Sequence, residues 1–167
     1  WQVEAGESMF SREHRFAGPD DLRLAELMRF ATDPAIDVVL SGRGGYGLSR
    51  LLDRIDYAAI KAREPVIAGY SDFTAFNLAY LARVGGVSLS GPSAGDFGAA
   101  SPNDFTVEHF FGLIESPRYS IELSLGGKAG EFSGRLWGGN LVMIAAMLGT
   151  PYFPRIRGGI LVVEDVN

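Results

Sequence analysis

Leu24, Leu27, Met28 and Ala31 stand at i, i+3, i+4 and i+7, one apolar stripe of a helix entered at Gly18-Pro19-Asp20. A short run rich in Val and Leu, Ile36 to Ser41, then predicts a buried strand. Leu48, Leu51, Leu52, Ile55 and Ala59 return to helical spacing. Val66 to Tyr70 predicts the next strand, and Asp72 to Arg83 a helix closed by Gly85-Gly86. Val87 to Ser90 predicts a third strand, ended by Gly91-Pro92. Short apolar strands alternating with helices predict a parallel sheet covered by helices.

The pattern changes after Gly91. Ser101-Pro102 opens a helix whose stripe is Val107, Phe110, Phe111 and Ile114. Tyr119, Ile121, Leu123 and Leu125 alternate with Ser120, Glu122 and Ser124, the pattern of a half-buried antiparallel strand. Gly126-Gly127 turns the chain, and Phe132 to Trp137 predicts the return strand. Leu141 to Leu148 predicts a short helix stopped by Gly149 and Pro151, and Ile160 to Val163 a last buried strand. The expected fold class is α/β: a parallel sheet flanked by helices over residues 1–95, then the start of a second α/β domain with antiparallel strands over 96–167. The chain opens on Trp1 rather than Met, and no clear strand precedes Phe16, so it reads as an excerpt.

Composition narrows the classes. Among 167 residues, 47% are hydrophobic and 21% charged, ordinary for a globular protein. A net charge of −5 argues against nucleic acid as a partner. No cysteine is present, which removes disulfides, thiol catalysis and thiolate metal sites. No apolar run approaches the ~18–20 residues of a membrane span, and no signal peptide is visible. Neither His14, among Arg12, Glu13 and Arg15, nor His109, opposite the apolar stripe of its helix, has metal-ligand spacing to a partner. No metal or cofactor is expected.

Two loops carry candidate chemistry. Pro65-Val-Ile-Ala-Gly-Tyr-Ser-Asp-Phe-Thr-Ala-Phe76 reads as strand, tight turn and helix start, with Ser71 at the turn. A serine there projects beyond the sheet beside the N–H groups of the helix start, the arrangement of a nucleophile elbow. The plainer reading is that Ser71 is an N-cap. Gly42-Arg-Gly-Gly-Tyr-Gly47 matches G-x-G-x-x-G between a strand and a helix, with Asp72 near the place of the acidic ribose ligand. With 22 glycines in the chain, that match is also read as a tight turn, or as an anion or oxyanion site of loop N–H groups. Glu164-Asp165 ends the last strand, where a carboxylate faces the crevice of an α/β sheet and can orient a histidine. It is also read as a solvated acidic pair.

Taken in order, Arg15-Phe-Ala-Gly18, Arg43-Gly-Gly-Tyr-Gly47, Ser49-Arg-Leu-Leu52 and Gly69-Tyr-Ser-Asp-Phe-Thr-Ala75 give the chain a family likeness. Ser90-Gly-Pro92, Leu136-Trp-Gly-Gly-Asn-Leu141, Gly149-Thr-Pro151 and Gly159-Ile-Leu-Val-Val-Glu-Asp165 continue it. The chain resembles the LD-carboxypeptidases, serine peptidases with a Ser-Glu-His triad. The resemblance implies Ser71 as nucleophile and Glu164 as the triad carboxylate, with the histidine well downstream of this chain. It implies an oxyanion hole from the N–H groups of Asp72 and Gly45. Arg43, Gly44, Tyr46, Arg135 and Asn140 are the implied substrate-binding set, the two arginines as partners for the substrate's terminal carboxylate.

The implied reaction releases a C-terminal D-amino acid, D-alanine, from a peptidoglycan tetrapeptide in the cytoplasm, in a protein that is commonly a homodimer. Without a base, the 167 residues alone are expected to be inactive. A related branch hydrolyses acyl-adenylate mimics in microcin C immunity. A nucleotide-binding module on Gly42 to Gly47, or a non-catalytic binding domain, are the readings from other classes.

Overall fold

The structure, a computed structural model, describes residues 1–116, 118–123, 126–127 and 130–165. Helix α1 (Asp20–Thr32) follows Pro19, and its first turn carries Asp20 and Asp21, the sign that a helix N-terminus favours. Strand β1 (Val38–Leu40) pairs in parallel with β2 (Val66–Ala68), Val39 opposite Ile67. Leu89 adds a single parallel bridge to Ala68, so the expected third strand is reduced to one residue of pairing.

Between these strands the periodic run from Leu48 to Ala59 is not one helix. A 3₁₀ turn at Leu48–Arg50 is followed by α2 (Tyr57–Arg63). Asp56 causes the restart: its side chain accepts the Ala59 N–H and caps a new helix. Leu51, Leu52 and Ile55 are buried all the same. After β2 comes a 3₁₀ turn, Ser71–Phe73, and then α3 (Thr74–Val84), whose C-cap Gly85 is left-handed as the Gly85-Gly86 pair predicts. Helix α3 is the centre of the core. Phe76, Leu78, Ala79 and Tyr80 are almost fully buried, with Tyr57, Phe76 and Tyr80 stacked. The larger of these, such as Phe76 and Leu78, each contribute about 1.5–3 kcal/mol by burial.

The second half departs from expectation in its strands. Helix α4 (Ala94–Phe97) is capped by Ser93 and Asp96. Helix α5 (Asp104–Glu115) starts at the cap Asn103, two residues later than Ser101. Of its apolar stripe only Phe110 is buried, against Phe97. Strand β3 (Leu136–Asn140) leads into α6 (Leu141–Met147) and pairs with β4 (Ile160–Glu164) in parallel, Asn140 opposite Glu164.

No antiparallel strand occurs among the described residues, which corrects the expected antiparallel pair. Residues 119–123 form no strand, and Ser124 and Leu125 lie outside the described residues. Phe132 is exposed and the strand begins only at Leu136. Alternation specifies a strand only when a neighbour pairs with it; here β3 finds its partner after a helix, which makes a parallel crossover. Strand β4 sits where expected, but Leu161, Val162 and Val163 are about half exposed rather than buried. No helix among the described residues is long and apolar enough to cross a membrane.

Candidate active site

Strand β1 runs out into the glycine loop, β2 into Ser71, β3 into Asn140 and β4 into Glu164, so all four parallel strands deliver these residues at their C-terminal ends. The two sheets meet there. The Asn140 N–H donates to Thr74 Oγ1 at 3.0 Å, and Thr74, the first residue of α3, is fully buried. Asn140 in turn caps α6 through its side chain, accepting the Met143 N–H.

Ser71 has φ +59°, left-handed and strained for a residue with a side chain. It opens the 3₁₀ turn, whose N-cap position is Tyr70, while the N-cap position of α3 is Phe73, so the N-cap reading fails. Its N–H donates to Glu164 Oε1 at 2.9 Å. The carboxylate therefore holds the Ser71 backbone directly, and among the described residues its Oε2 accepts no hydrogen bond. Gly69 is required beneath this turn by packing. Its φ is not left-handed, but a Cβ there would fall 2.5 Å from Ser41 Oγ and 2.6 Å from the Phe73 ring.

The glycine loop lies against the serine. A Cβ on Gly44 would sit 2.8 Å from both Cβ and Oγ of Ser71. Among the described residues, neither the Asp72 N–H nor the Gly45 N–H has an intramolecular partner, which leaves both for a ligand atom. Arg43 is exposed and its Nη1 donates to the Gly44 carbonyl at 2.9 Å, so it stands at the rim. Tyr46 is exposed beside it.

Arg135 is not brought to this edge. It precedes β3, and its carbonyl accepts the Ile160 N–H at the opposite end of the β3–β4 pair. It lines a cavity of about 410 Å³ with Leu81, Thr150, Phe153 and Arg155. His14 is exposed, and His109 Nδ1 is bound to the Tyr119 hydroxyl at 2.8 Å, away from Ser71.

The dinucleotide reading loses both of its supports. The loop opens onto three residues of 3₁₀ helix rather than an α-helix whose dipole holds a pyrophosphate. The Asp72 carboxylate is already taken, accepting the N–H groups of Gly47 and Leu48 at 3.0 Å each.

Sequence reasoning missed three further residues, Tyr70, Asp96 and Asn77. Tyr70 donates its hydroxyl weakly to Asp96 at 3.4 Å, and burial pushes its pKa up, reinforced by the Asp96 and Glu164 carboxylates. Asn77 Nδ2 holds the Gly69 carbonyl from below at 3.1 Å. The one signal for Asn77 was a polar residue in the otherwise apolar helix after Ser71. No comparable signal marked Asp96.

Two family models match the chain: the LD-carboxypeptidase N-terminal domain over residues 1–91 and the LD-carboxypeptidase C-terminal domain over residues 133–167. The probable murein peptide carboxypeptidase of Bacillus subtilis is 33% identical over 174 residues, covering 99% of this chain and 54% of that protein. The crystal structure of muramoyltetrapeptide carboxypeptidase from Oxalobacter formigenes superposes with a TM-score of 0.84 at 42% identity, over 91% of this chain and 52% of that one. MccF, the microcin C7 self-immunity protein of Escherichia coli, solved with glutamyl sulfamoyl guanosine, gives 0.83 at 26% identity, over 95% and 57%. The chain spans about half the length of the curated relatives it matches.

Proposed function

The chain belongs to the LD-carboxypeptidase family, and from that premise we propose that it carries the nucleophile of a serine carboxypeptidase. Its substrate is a peptidoglycan tetrapeptide and its product a free C-terminal D-amino acid, D-alanine. The observation that carries the reading is the strained Ser71 turn, pressed against the glycine loop on one side and bound to Glu164 on the other. The 33% and 42% identities to proteins described as murein peptide and muramoyltetrapeptide carboxypeptidases support the substrate class.

In this mechanism Ser71 Oγ attacks the carbonyl carbon of the terminal peptide bond, and a histidine from outside these 167 residues accepts its proton. Glu164 orients that histidine and balances its positive charge. The N–H groups of Asp72 and Gly45 hold the developing oxyanion. The histidine returns the proton to the departing D-alanine amine, and water then cleaves the acyl-enzyme by the same route. Arg43, at the rim with Tyr46 beside it, faces the substrate carboxylate, with Gly44 and Asn140 deeper in the cleft. A division near residue 95, a cytoplasmic location and a homodimer complete the proposal; the separate matches over 1–91 and 133–167 support the division.

The test is D-alanine release from a muropeptide tetrapeptide by the full-length protein, beside hydrolysis of a glutamyl sulfamoyl nucleoside. Ser71→Ala should lower kcat by roughly 10⁴–10⁶-fold. Unchanged turnover in Ser71→Ala refutes the serine mechanism. Turnover of the sulfamoyl nucleoside alone moves the substrate to the MccF class.

A further inference from the structure

We infer, on the serine-hydrolase reading above, that the Asp72 side chain is a positioning residue that locks the glycine loop to the nucleophile turn and so sets the oxyanion geometry. Asp72 supplies two different groups to two different tasks. Its backbone N–H stands beside Ser71. Its carboxylate, 8% exposed, accepts the N–H groups of Gly47 and Leu48 on the single atom Oδ2. A carboxylate this buried is tolerable only when hydrogen-bonded, and bonds from N–H to an ionised oxygen are about twice as strong as neutral ones.

The Gly47 peptide is held from its other side as well. Its carbonyl accepts Arg23 Nη1 at 3.1 Å. Arg23 is paired with Asp20, which also binds Arg50 Nε at 2.7 Å, and both guanidinium groups pack on the Phe16 ring. The near end of the loop is fixed too, where the Ala94 and Gly95 N–H groups donate to the carbonyls of Ser41 and Gly42 at 2.8 and 3.1 Å. Only residues 43–46 lie between these anchors, and they include Gly44 against Ser71 and the unpaired Gly45 N–H. Any slack at Gly47 therefore moves an oxyanion donor relative to the nucleophile. The Asp72 carboxylate removes that slack through the same residue that provides the other donor.

The experiment measures kcat and KM for D-alanine release by full-length wild type, Asp72→Ala, Asp72→Asn and Ser71→Ala, with melting temperatures. Loss of a positioned oxyanion donor lowers kcat by about 10²–10³-fold, so Asp72→Ala should lose that much in kcat with KM little changed. Asp72→Asn keeps an oxygen acceptor and should recover to within about tenfold of wild type. Wild-type kcat in Asp72→Ala, a loss confined to KM, or an Asn variant as poor as Ala each overturns the inference.

If Asp72→Ala does not fold, Asp72→Glu decides. It keeps the charge but carries the acceptor one carbon further out, which displaces the Gly47 peptide by about 1 Å, and should lower kcat about 10²-fold; unchanged kcat overturns the inference. Undiminished activity in Ser71→Ala sinks the hydrolase reading itself, whereas an inactive Ser71→Ala beside a normal Asp72→Ala sinks only the positioning role.

Discussion

Replacing Gly44 by alanine puts one methyl group where the structure has room for none. The new Cβ would lie 2.8 Å from Ser71 Cβ and Oγ, whereas carbon atoms in contact rest at about 3.5–4.0 Å. The loop and Ser71 must part by roughly 0.7–1.2 Å. Gly44 is not left-handed, so alanine carries no backbone penalty there and the effect is steric. The loop is anchored at Ser41–Gly42 and at Gly47, so the displacement falls on the gap between Ser71 and the loop N–H groups. A misplacement of about 1 Å costs on the order of 10²-fold in rate, or about 2.7 kcal/mol in the barrier. D-alanine release by the full-length variant, followed by kcat/KM, should show that loss while the melting temperature moves by only a few degrees. Gly126→Ala, which meets nothing within 4 Å, is the control. Wild-type kcat/KM in Gly44→Ala would refute the packing of loop on serine.

Thr74→Val keeps the shape of a fully buried side chain but removes the acceptor of the Asn140 N–H, and should cost about 1–3 kcal/mol in denaturant unfolding. Unchanged stability would show that the two sheets are not joined there. Burial pushes the Tyr57 phenol well above its ordinary value. Above pH ~10 the unfolded phenol loses its proton while the folded one keeps it, so stability falls as pH rises. Tyr57→Phe should flatten that fall by up to about 1.4 kcal/mol per pH unit, as measured by unfolding between pH 9 and 11. An identical slope would refute the assignment.

The elements carried by local pattern were legible: α1 from its four-residue stripe, β1 and β2 from short apolar runs, α3 from its glycine stop. Ser71 was legible because a strand, a tight turn and a helix leave a serine one place to go. What failed depended on partners distant in sequence. Tyr119 to Leu123 alternates but has no strand beside it, and β3 pairs with a strand on the far side of α6. The charge of Arg135 suits a carboxylate, but only the direction of β3 shows that it stands at the far end of the strand. The hold of Asp72 on Gly47 and Leu48 was illegible because the bonds join a side chain to backbone N–H groups that any sequence would offer.

The bond between Ser71 and Glu164 joins residues 93 apart in the chain. At a synthesis rate of about 5–20 residues per second, Glu164 is added roughly 5–20 s after Ser71. During that interval β1, β2 and α3 are already made, and the serine turn has its hydrophobic support without its carboxylate. The nascent chain thus has its scaffold before it has this tether, and the ribosome's pace sets the earliest moment at which the Ser71 turn is seated.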